Sequence, residues 1–190
     1  MEKLREVHVR AALLEELYLK YKDSTDTRII NELGINFGQS RIDVAVVNGI
    51  IHGYEIKSES DNLNRLSNQI SHYNMLFERV TMVVDKKHLE EVNRVVPSWW
   101  GITVVKNVNG EITLIQKRKG RRRTSQDKHT LLRLLWKEDL ESFVDYLGYP
   151  KAMKKMKKND LYNIFSAKVK LDVIRPFVYE ALKSRQFWRN

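Results

Sequence analysis

The sequence predicts an α/β protein with a mixed central sheet flanked by helices, followed by a small, basic, all-helical C-terminal module. Three observations support this fold class. Short apolar runs typical of strands alternate with helical patterns as far as residue 116. The stretch 117–128, KRKGRRRTSQDK, then contains no apolar residue, and we interpret it as a basic linker. Residues 129–190 show only helical periodicity.

The first part alternates helices and strands. Apolar periodicity predicts a helix at 4–22, and 27–33 reads as a short helix or strand that Gly34 ends. The remaining elements are a hairpin at 41–57, a helix at 63–77, a buried strand at 80–84, a helix at 88–96 stopped by Pro97, and two strands at 102–105 and 111–116 joined at Asn109-Gly110.

The second part is predicted to form about four short helices. They lie near 131–136, 140–147, 161–165 and 169–182. We expect Tyr179, Phe187 and Trp188 to dock the last of them. The segment from Leu140 through KKNDLYNIF loosely resembles the helix-turn-helix layout of SAP-like DNA-binding modules.

Charge is divided unevenly along the chain, whose 190 residues carry a net charge of +10. Residues 1–116 contain 14 Lys and Arg against 16 Asp and Glu, a net charge of −2. Residues 117–190 contain 20 against 8, a net charge of +12. This asymmetry favours a polyanionic partner for the second part, and we expect nucleic acid, with DNA preferred.

Other features disfavour several classes of protein. No run of 18 apolar residues is present, and the charged start MEKLREVHVR lacks the apolar region of a secretory signal. We therefore expect no membrane partner. The absence of cysteine excludes disulfides and thiolate zinc sites and agrees with a cytoplasmic location.

The hairpin at 41–57 is the candidate active site. Its strands are apolar except for Asp43, Glu55 and Lys57, and buried charges are costly unless they have partners or a task. A two-residue loop at Asn48-Gly49 would place the two carboxylates on opposite faces of the sheet. A three-residue loop with Gly49 in the left-handed region, or a bulge, would bring them to one face, and we predict this form.

Two carboxylates on one face can hold a hard divalent cation. Asp43 and Glu55 would bind Mg²⁺ or Mn²⁺, and the backbone carbonyl of Ile56 is a further candidate ligand. Lys57 shares the face of Glu55 because they are two residues apart on a strand. A metal and an ammonium so placed can activate water and neutralise charge on a phosphate.

These residues resemble the PD-(D/E)XK nuclease superfamily. Ile42-Asp43 stands where that family often has Pro-Asp, Glu55-Ile56-Lys57 matches its Glu-x-Lys, and Gln69 through Tyr73 is similar to its Gln-x-x-x-Tyr helix motif. The wider pattern is similar to a group of small bacterial proteins with this core, which suggests a bacterial or phage source.

The resemblance implies a fold and a function. It implies a restriction-endonuclease-like core over residues 1–116 and metal-dependent hydrolysis of phosphodiester bonds, most readily in DNA. Glu32 would be a helix glutamate that joins the catalytic residues Asp43, Glu55 and Lys57. Gln69 and Tyr73 would support the site or contact the substrate strand.

Other interpretations stay open at this point. The chain could bind nucleic acid on a nuclease fold without chemistry, or it could be a structural protein with a coincidental triplet. Tyr73 also fits an apolar helix face, Gln69 could be an exposed residue, Asp61 could cap a helix, and His52, His72 and Trp99-Trp100 could be structural.

The basic residues of the second part have two interpretations. They could be solvated, or they could follow a phosphate backbone, which their place beside a candidate nuclease favours. The candidate contacts are Lys117, Arg118, Lys119, Arg121, Arg122, Arg123, Lys154, Lys155, Lys157 and Lys158.

Overall fold

The computed structural model of the protein describes residues 4–185, so Phe187 and Trp188 lie outside the described residues. The helices are α1 Glu6–Lys20, α2 Leu66–Leu76, α3 Leu89–Val95, α4 Lys128–Leu132, α5 Lys137–Tyr146, α6 Lys158–Lys168 and α7 Leu171–Ser184. The strands are β1 Arg28–Ile35, β2 Ser40–Val47, β3 Ile51–Lys57, β4 Arg79–Asp85, β5 Gly101–Val108 and β6 Glu111–Arg118. Short 3-10 turns occupy Lys86–His88 and Lys151–Lys155.

The six strands form one sheet in the order β1-β2-β3-β4-β5-β6. Strand β4 runs parallel to both β3 and β5, and the remaining neighbours are antiparallel. Helices α2 and α3 supply the crossovers that parallel neighbours require. The mixed sheet with flanking helices and C-terminal helices is confirmed.

Two apolar clusters cover the two faces of this sheet. On one face, Val9, Leu13 and Leu17 of α1 pack against β2, β3 and β4. On the other, α2 and the C-terminal helices share one continuous cluster with the sheet. The larger of the two clusters therefore lies on the face that α2 and the C-terminal helices cover.

One predicted element differs from the sequence analysis. Residues 28–35 form a strand that pairs with β2 and continues through Gly34, so the expectation that Gly34 ends this segment is wrong. Gly34 pairs with Arg41 and Ile35 pairs with Ser40 of the apolar strand β2, and this tertiary pairing outweighs the local tendency of glycine to stop an element.

The basic stretch after residue 116 is bound to the sheet and helices. Lys117 and Arg118 complete β6, which ends two residues later than predicted. Beyond them, the backbone amides of Arg121, Arg123 and Asp127 donate to carbonyl groups at 2.8, 2.7 and 2.8 Å. We call residues 119–127 the basic strap, because they run in an ordered path from the sheet to α4.

The C-terminal helices confirm the four predicted from sequence, with bounds shifted by a few residues. Tyr179 of α7 is buried, as expected, and its hydroxyl contacts Glu78 Oε2 at 2.6 Å. No helix among the described residues is long and apolar enough to cross a membrane. The division into a domain at 1–116 and a module at 129–190 stays a prediction.

Candidate active site at the end of the hairpin

The hairpin has the connection that the sequence predicts. Val47 pairs with Ile51, which leaves Asn48, Gly49 and Ile50 as a three-residue loop. Gly49 has a φ of +61°, in the left-handed region that glycine adopts most easily. The Asn48 amide donates to the Ile50 carbonyl at 3.0 Å and closes the turn. The predicted loop is confirmed.

This register brings the two carboxylates level with each other. The ladder between β2 and β3 ends at the pair of Val44 and Tyr54, so Asp43 is the next residue toward Glu55. The backbone amide of Ile56 donates to Asp43 Oδ2 at 2.7 Å. The Asp43 side chain thus spans the gap where β2 separates from β3.

Asp43 also meets a cation from the first helix. Arg10 donates to Asp43 twice, from Nη1 to the backbone carbonyl at 2.9 Å and from Nη2 to Oδ1 at 3.1 Å. Burial and the charge of Glu55 raise the pKa of Asp43 to about 7, although the Ile56 amide and the Arg10 guanidinium act in the opposite direction. Negative charge in this cleft is therefore incompletely compensated.

Glu55 is a buried carboxylate with three side-chain partners. Its Oε1 accepts from Lys57 Nζ at 2.9 Å and from Gln69 Nε2 at 2.5 Å, and its Oε2 lies 2.7 Å from the Tyr73 hydroxyl. Lys57 reaches it because both project from the same face of β3. Gln69 and Tyr73 reach it together because they are one turn apart on α2.

Tyr73 combines the packing and polar interpretations of the sequence. Its ring is fully buried and stacks on Trp100, with ring centroids 6.0 Å apart. Its hydroxyl lies 2.7 Å from the Arg41 carbonyl as well as from Glu55. Burial and the nearby Glu55 charge raise the pKa of Tyr73, so the hydroxyl keeps its proton and acts as a donor.

The carboxylates open onto a cleft of about 460 Å³ between the starts of α1 and α2. Among the predicted catalytic residues, Glu32, Asp43, Glu55, Lys57 and Gln69 line it, and Tyr73 lies behind Glu55. These five make up fewer than half of the polar side chains that line the cleft.

Glu32 occupies a different structural position from the one the resemblance implied. It lies on strand β1 with a φ of +56°, so its assignment to a helix is wrong. Its side chain is 51% exposed, pairs with Arg41 Nη1 at 2.7 Å and lies 3.6 Å from Arg10 Nη2. It is a carboxylate of the rim, and a role in catalysis stays a prediction.

The cleft contains ligand types that a magnesium-type ion takes in proteins, namely carboxylate and amide oxygens. Among residues 4–185 no group of three His, Cys, Asp or Glu side chains is arranged for a metal. Mg²⁺, however, is commonly held by one or two carboxylates, with water and phosphate oxygens completing its shell. The Oε1 atom of Gln69 is buried without a hydrogen-bond partner beside these carboxylates, and such an acceptor suits a hydrated cation. The Ile56 carbonyl stays a predicted ligand.

Sequence reasoning missed Arg10, which contacts Asp43 from a helix 33 positions earlier in the chain. The only local signal was the spacing of Glu6 and Arg10 by one helical turn, and these two form an ion pair at 2.5 Å. That spacing predicts an ion pair on the surface of the helix and gives no indication that Arg10 contacts the hairpin. Only the packing of α1 on the sheet brings the guanidinium there.

The remaining candidates have structural partners. Asp61 Oδ2 accepts from the amide and hydroxyl of Ser58, both at 2.7 Å, and His72 Nδ1 bonds to the Ser40 hydroxyl. Trp100 is fully buried, in agreement with a packing role. His52 lies on a strand position two residues before Tyr54, and its Nε2 bonds to Thr81 at 2.9 Å.

The ten predicted nucleic-acid contacts divide into two groups. Arg118 donates to the Trp100 carbonyl at 2.7 Å, Arg122 pairs with buried Glu78 at 2.7 Å, and Lys154 pairs with Asp145. The other seven side chains do not form ion pairs with the described residues, and they are exposed: Lys117, Lys119, Arg121, Arg123, Lys155, Lys157 and Lys158.

The chain is thus a mixed α/β protein with a carboxylate-lined cleft at the end of a hairpin. A family model described as Bacteriophage P4 protein cII matches residues 1–190. A relative named Protein cII, from Enterobacteria phage P4, is 33% identical over 184 residues, which cover 97% of this chain and 69% of the relative. The chain belongs to the phage P4 cII family, which agrees with the expected bacterial or phage source. No solved structure matches it significantly.

Proposed function

We propose that the protein is a metal-dependent nuclease of the PD-(D/E)XK type that hydrolyses phosphodiester bonds, with DNA as its preferred substrate. The observation that carries this proposal is the three-residue hairpin loop, because it brings Asp43 level with Glu55. The cleft adds Lys57 on the same strand and the Gln69–Tyr73 pair on α2, in the order that the resemblance requires.

The electrostatics of the cleft support a divalent cation. The raised pKa of Asp43 reflects its burial first and then its repulsion by the Glu55 carboxylate. A bound cation would relieve this repulsion, and it would supply Lewis-acid stabilisation of the phosphate and a more acidic water. Asp43 and Glu55 would hold the cation, with Mg²⁺ or Mn²⁺ as the expected ions.

The other side chains of the cleft would have separate roles in the reaction. Lys57, held 2.9 Å from Glu55, would neutralise charge that develops on the phosphate and orient the attacking water. Tyr73 and Gln69 would fix the Glu55 carboxylate by their two hydrogen bonds. Arg10, now paired with Asp43, would be free to move to a phosphate once a cation holds that carboxylate.

A cleavage assay tests this proposal. The full chain is incubated with DNA and RNA in Mg²⁺, in Mn²⁺ and in a chelator, together with Asp43→Ala and Lys57→Ala. We expect metal-dependent cutting by the wild type and a loss of at least about 100-fold in each variant. Lys106→Ala, at an exposed lysine in β5, is the matched control and should cut normally.

A second function is favoured by one specific observation. Arg10 and the Ile56 amide together occupy both Asp43 carboxylate oxygens, which is an arrangement suited to a protein that binds nucleic acid without cutting it. Under this alternative the wild type binds DNA but leaves it intact in every metal. Intact DNA combined with unchanged binding in the Asp43 and Lys57 variants would reject the nuclease proposal.

A further inference from the structure

A second cavity lies beneath α1, away from the candidate active site. It has a volume of about 210 Å³, and its lining includes Leu17 of α1 and His52, Tyr54 and Thr81 of the sheet. His52 and Tyr54 are two residues apart on β3, so they project from the face opposite to Glu55 and Lys57. The cavity is therefore separate from the carboxylate cleft.

Two glycines shape this cavity. A Cβ atom on Gly101 would lie 2.8 Å from Thr81 Oγ1 and 2.9 Å from the Gly120 backbone nitrogen, distances too short for a real side chain. The strap can therefore approach β5 this closely because Gly101 has no side chain. Thr81 Oγ1 is also held by His52 Nε2 at 2.9 Å, and the His52 ring stacks on Tyr54 with centroids 4.1 Å apart. The polar floor is thus preformed.

The charge around the cavity is positive. Lys20, Arg79 and Lys119 line it against a single carboxylate, Glu16. Among residues 4–185, neither the Arg79 guanidinium nor the Lys119 ammonium forms a side-chain hydrogen bond or ion pair, and Arg79 Nε is buried without a partner. Burying part of a guanidinium without a counter-charge is costly, so this arrangement suits an anion supplied from outside.

The positive charges around the cavity also affect the pKa of His52, which lies in its floor. Burial lowers the pKa of His52 well below its ordinary value, and the charges of Arg79 and Lys20 lower it further. The ring is therefore neutral at pH 7, and it leaves the positive charge of the cavity to the lysines and the arginine.

We propose that this cavity binds the phosphate group of a small phosphomonoester. Arg79 and Lys119 would contact the phosphate, and the stacked rings of His52 and Tyr54 would contact the group attached to it. Several cations around one small space favour a ligand with two negative charges, such as a phosphate dianion, over a ligand with one carboxylate. The bound phosphate group could belong to a free mononucleotide or to the 5′-phosphate end of a nucleic-acid strand. The proposal does not depend on nuclease activity.

Titration calorimetry on the full chain tests the proposal. The probes are inorganic phosphate, a nucleoside 5′-monophosphate, the matching nucleoside, and a short oligonucleotide with and without its 5′-phosphate. We expect the nucleoside 5′-monophosphate to bind and the nucleoside not to bind, and we expect the 5′-phosphorylated oligonucleotide to bind more tightly than the same oligonucleotide without its 5′-phosphate. Binding of the free monophosphate would identify a small molecule as the source. A gain in affinity from the 5′-phosphate of the oligonucleotide, without binding of the monophosphate, would identify a strand end, and both results support the phosphate site.

Variants locate the binding. Arg79→Gln keeps the methylene that packs against Gly120 and should weaken phosphate binding at least about 10-fold, the expected loss of a charged partner. Lys119→Gln should weaken phosphate binding several-fold, and it replaces the Arg79 variant in the test if that variant does not fold. Arg94→Gln, at an exposed arginine of α3, is the matched control and should bind normally.

Three results would overturn the proposal. The first is no saturable binding of any phosphorylated probe at about 1 mM, a concentration that detects even weak affinity. The second is equal binding of the nucleoside and its monophosphate. The third is equal loss of binding in the Arg79 and Arg94 variants. Asp43→Asn should retain phosphate binding, so failure of the nuclease proposal and failure of this one remain distinguishable.

Discussion

Asp43 lies between groups that act on its proton in opposite directions. Burial and Glu55 favour the protonated form, whereas the Ile56 amide and Arg10 favour the carboxylate, and the pKa settles at about 7. This carboxyl group at the end of the hairpin would then be half ionised at neutral pH in the metal-free state. Its protonation should affect stability in a predictable direction.

The metal-free protein should lose stability as the pH rises from about 4 to about 7. Folding raises the pKa of Asp43 from 3.8 to about 7, so the folded protein holds this proton more tightly than the unfolded chain. The stabilisation that protonated Asp43 gives is therefore fully present below about pH 4 and is lost as the pH rises through about 7. We expect a loss of about 2 kcal/mol, reduced from the full shift because the side chain is 22% exposed. Urea unfolding in a chelator measures it.

Asp43→Asn provides the comparison for this measurement, since an amide does not titrate in this range. Its unfolding free energy should change less between the same two pH values than that of the wild type. Parallel pH profiles for the two proteins would contradict the assignment of this titration to Asp43.

At the scale of elements, the sequence predicted what short-range chemistry determines. Asn48-Gly49 predicted the turn, and the expectation of two carboxylates on one face predicted its length of three residues. Glu32 was misplaced because its segment has no strong helical or strand periodicity, and its conformation depends on pairing with β2. Arg10 was missed because nothing near it in sequence records the packing of α1.

The basic strap was likewise beyond sequence reasoning. A run of arginines reads as solvated, yet Arg122 donates to the fully buried carboxylate Glu78 from Nε at 3.0 Å and from Nη2 at 2.7 Å. Tyr179 contacts the same carboxylate, so Glu78 joins the strap and α7 to the sheet. Its partners lie 44 and 101 positions away, and no local pattern predicts them.

Neighbouring arginines of the strap should therefore differ in their effect on stability. Arg122→Gln should lower the free energy of unfolding by about 1–2 kcal/mol. It removes the nearer of the two cations beside buried Glu78 and leaves Arg175 at 4.0 Å, and half of the Arg122 side chain is solvated. Among residues 4–185, the Arg123 guanidinium contacts only the nearby Ser125 hydroxyl and the Trp99 ring, so Arg123→Gln should change the free energy of unfolding by less than about 0.5 kcal/mol. Equal effects in urea unfolding would contradict the proposed role of Glu78.

At the scale of the whole molecule, the two oppositely charged parts of the sequence share one apolar core. The cluster that covers one sheet face includes residues of α4, α5, α6 and α7. Deleting residues 117–190 would expose this core, so the contribution of the basic part to binding is better tested by neutralising side chains. Composition predicted the positive surface, whereas the shared core depends on long-range packing.

Neutralising exposed lysines near the start of α6 should reduce the salt dependence of DNA binding. In the triple variant of Lys155, Lys157 and Lys158 to Gln, the slope of log affinity against log salt should become shallower by up to about 0.9 for each phosphate that the protein no longer neutralises. The matched control replaces Lys22, Lys86 and Lys106, which are also exposed. A slope that changes equally in both triple variants would show that net charge alone sets the affinity.

Direct binding of Mn²⁺, followed by the electron paramagnetic resonance of the free ion, tests the central claim that the hairpin builds a metal site. We expect one saturable site in the wild type, at least about 10-fold weaker binding in Asp43→Asn and in Glu55→Gln, and normal binding in the exposed control Glu111→Gln. No saturable binding by the wild type up to about 1 mM Mn²⁺, or equal binding by all four proteins, would contradict it.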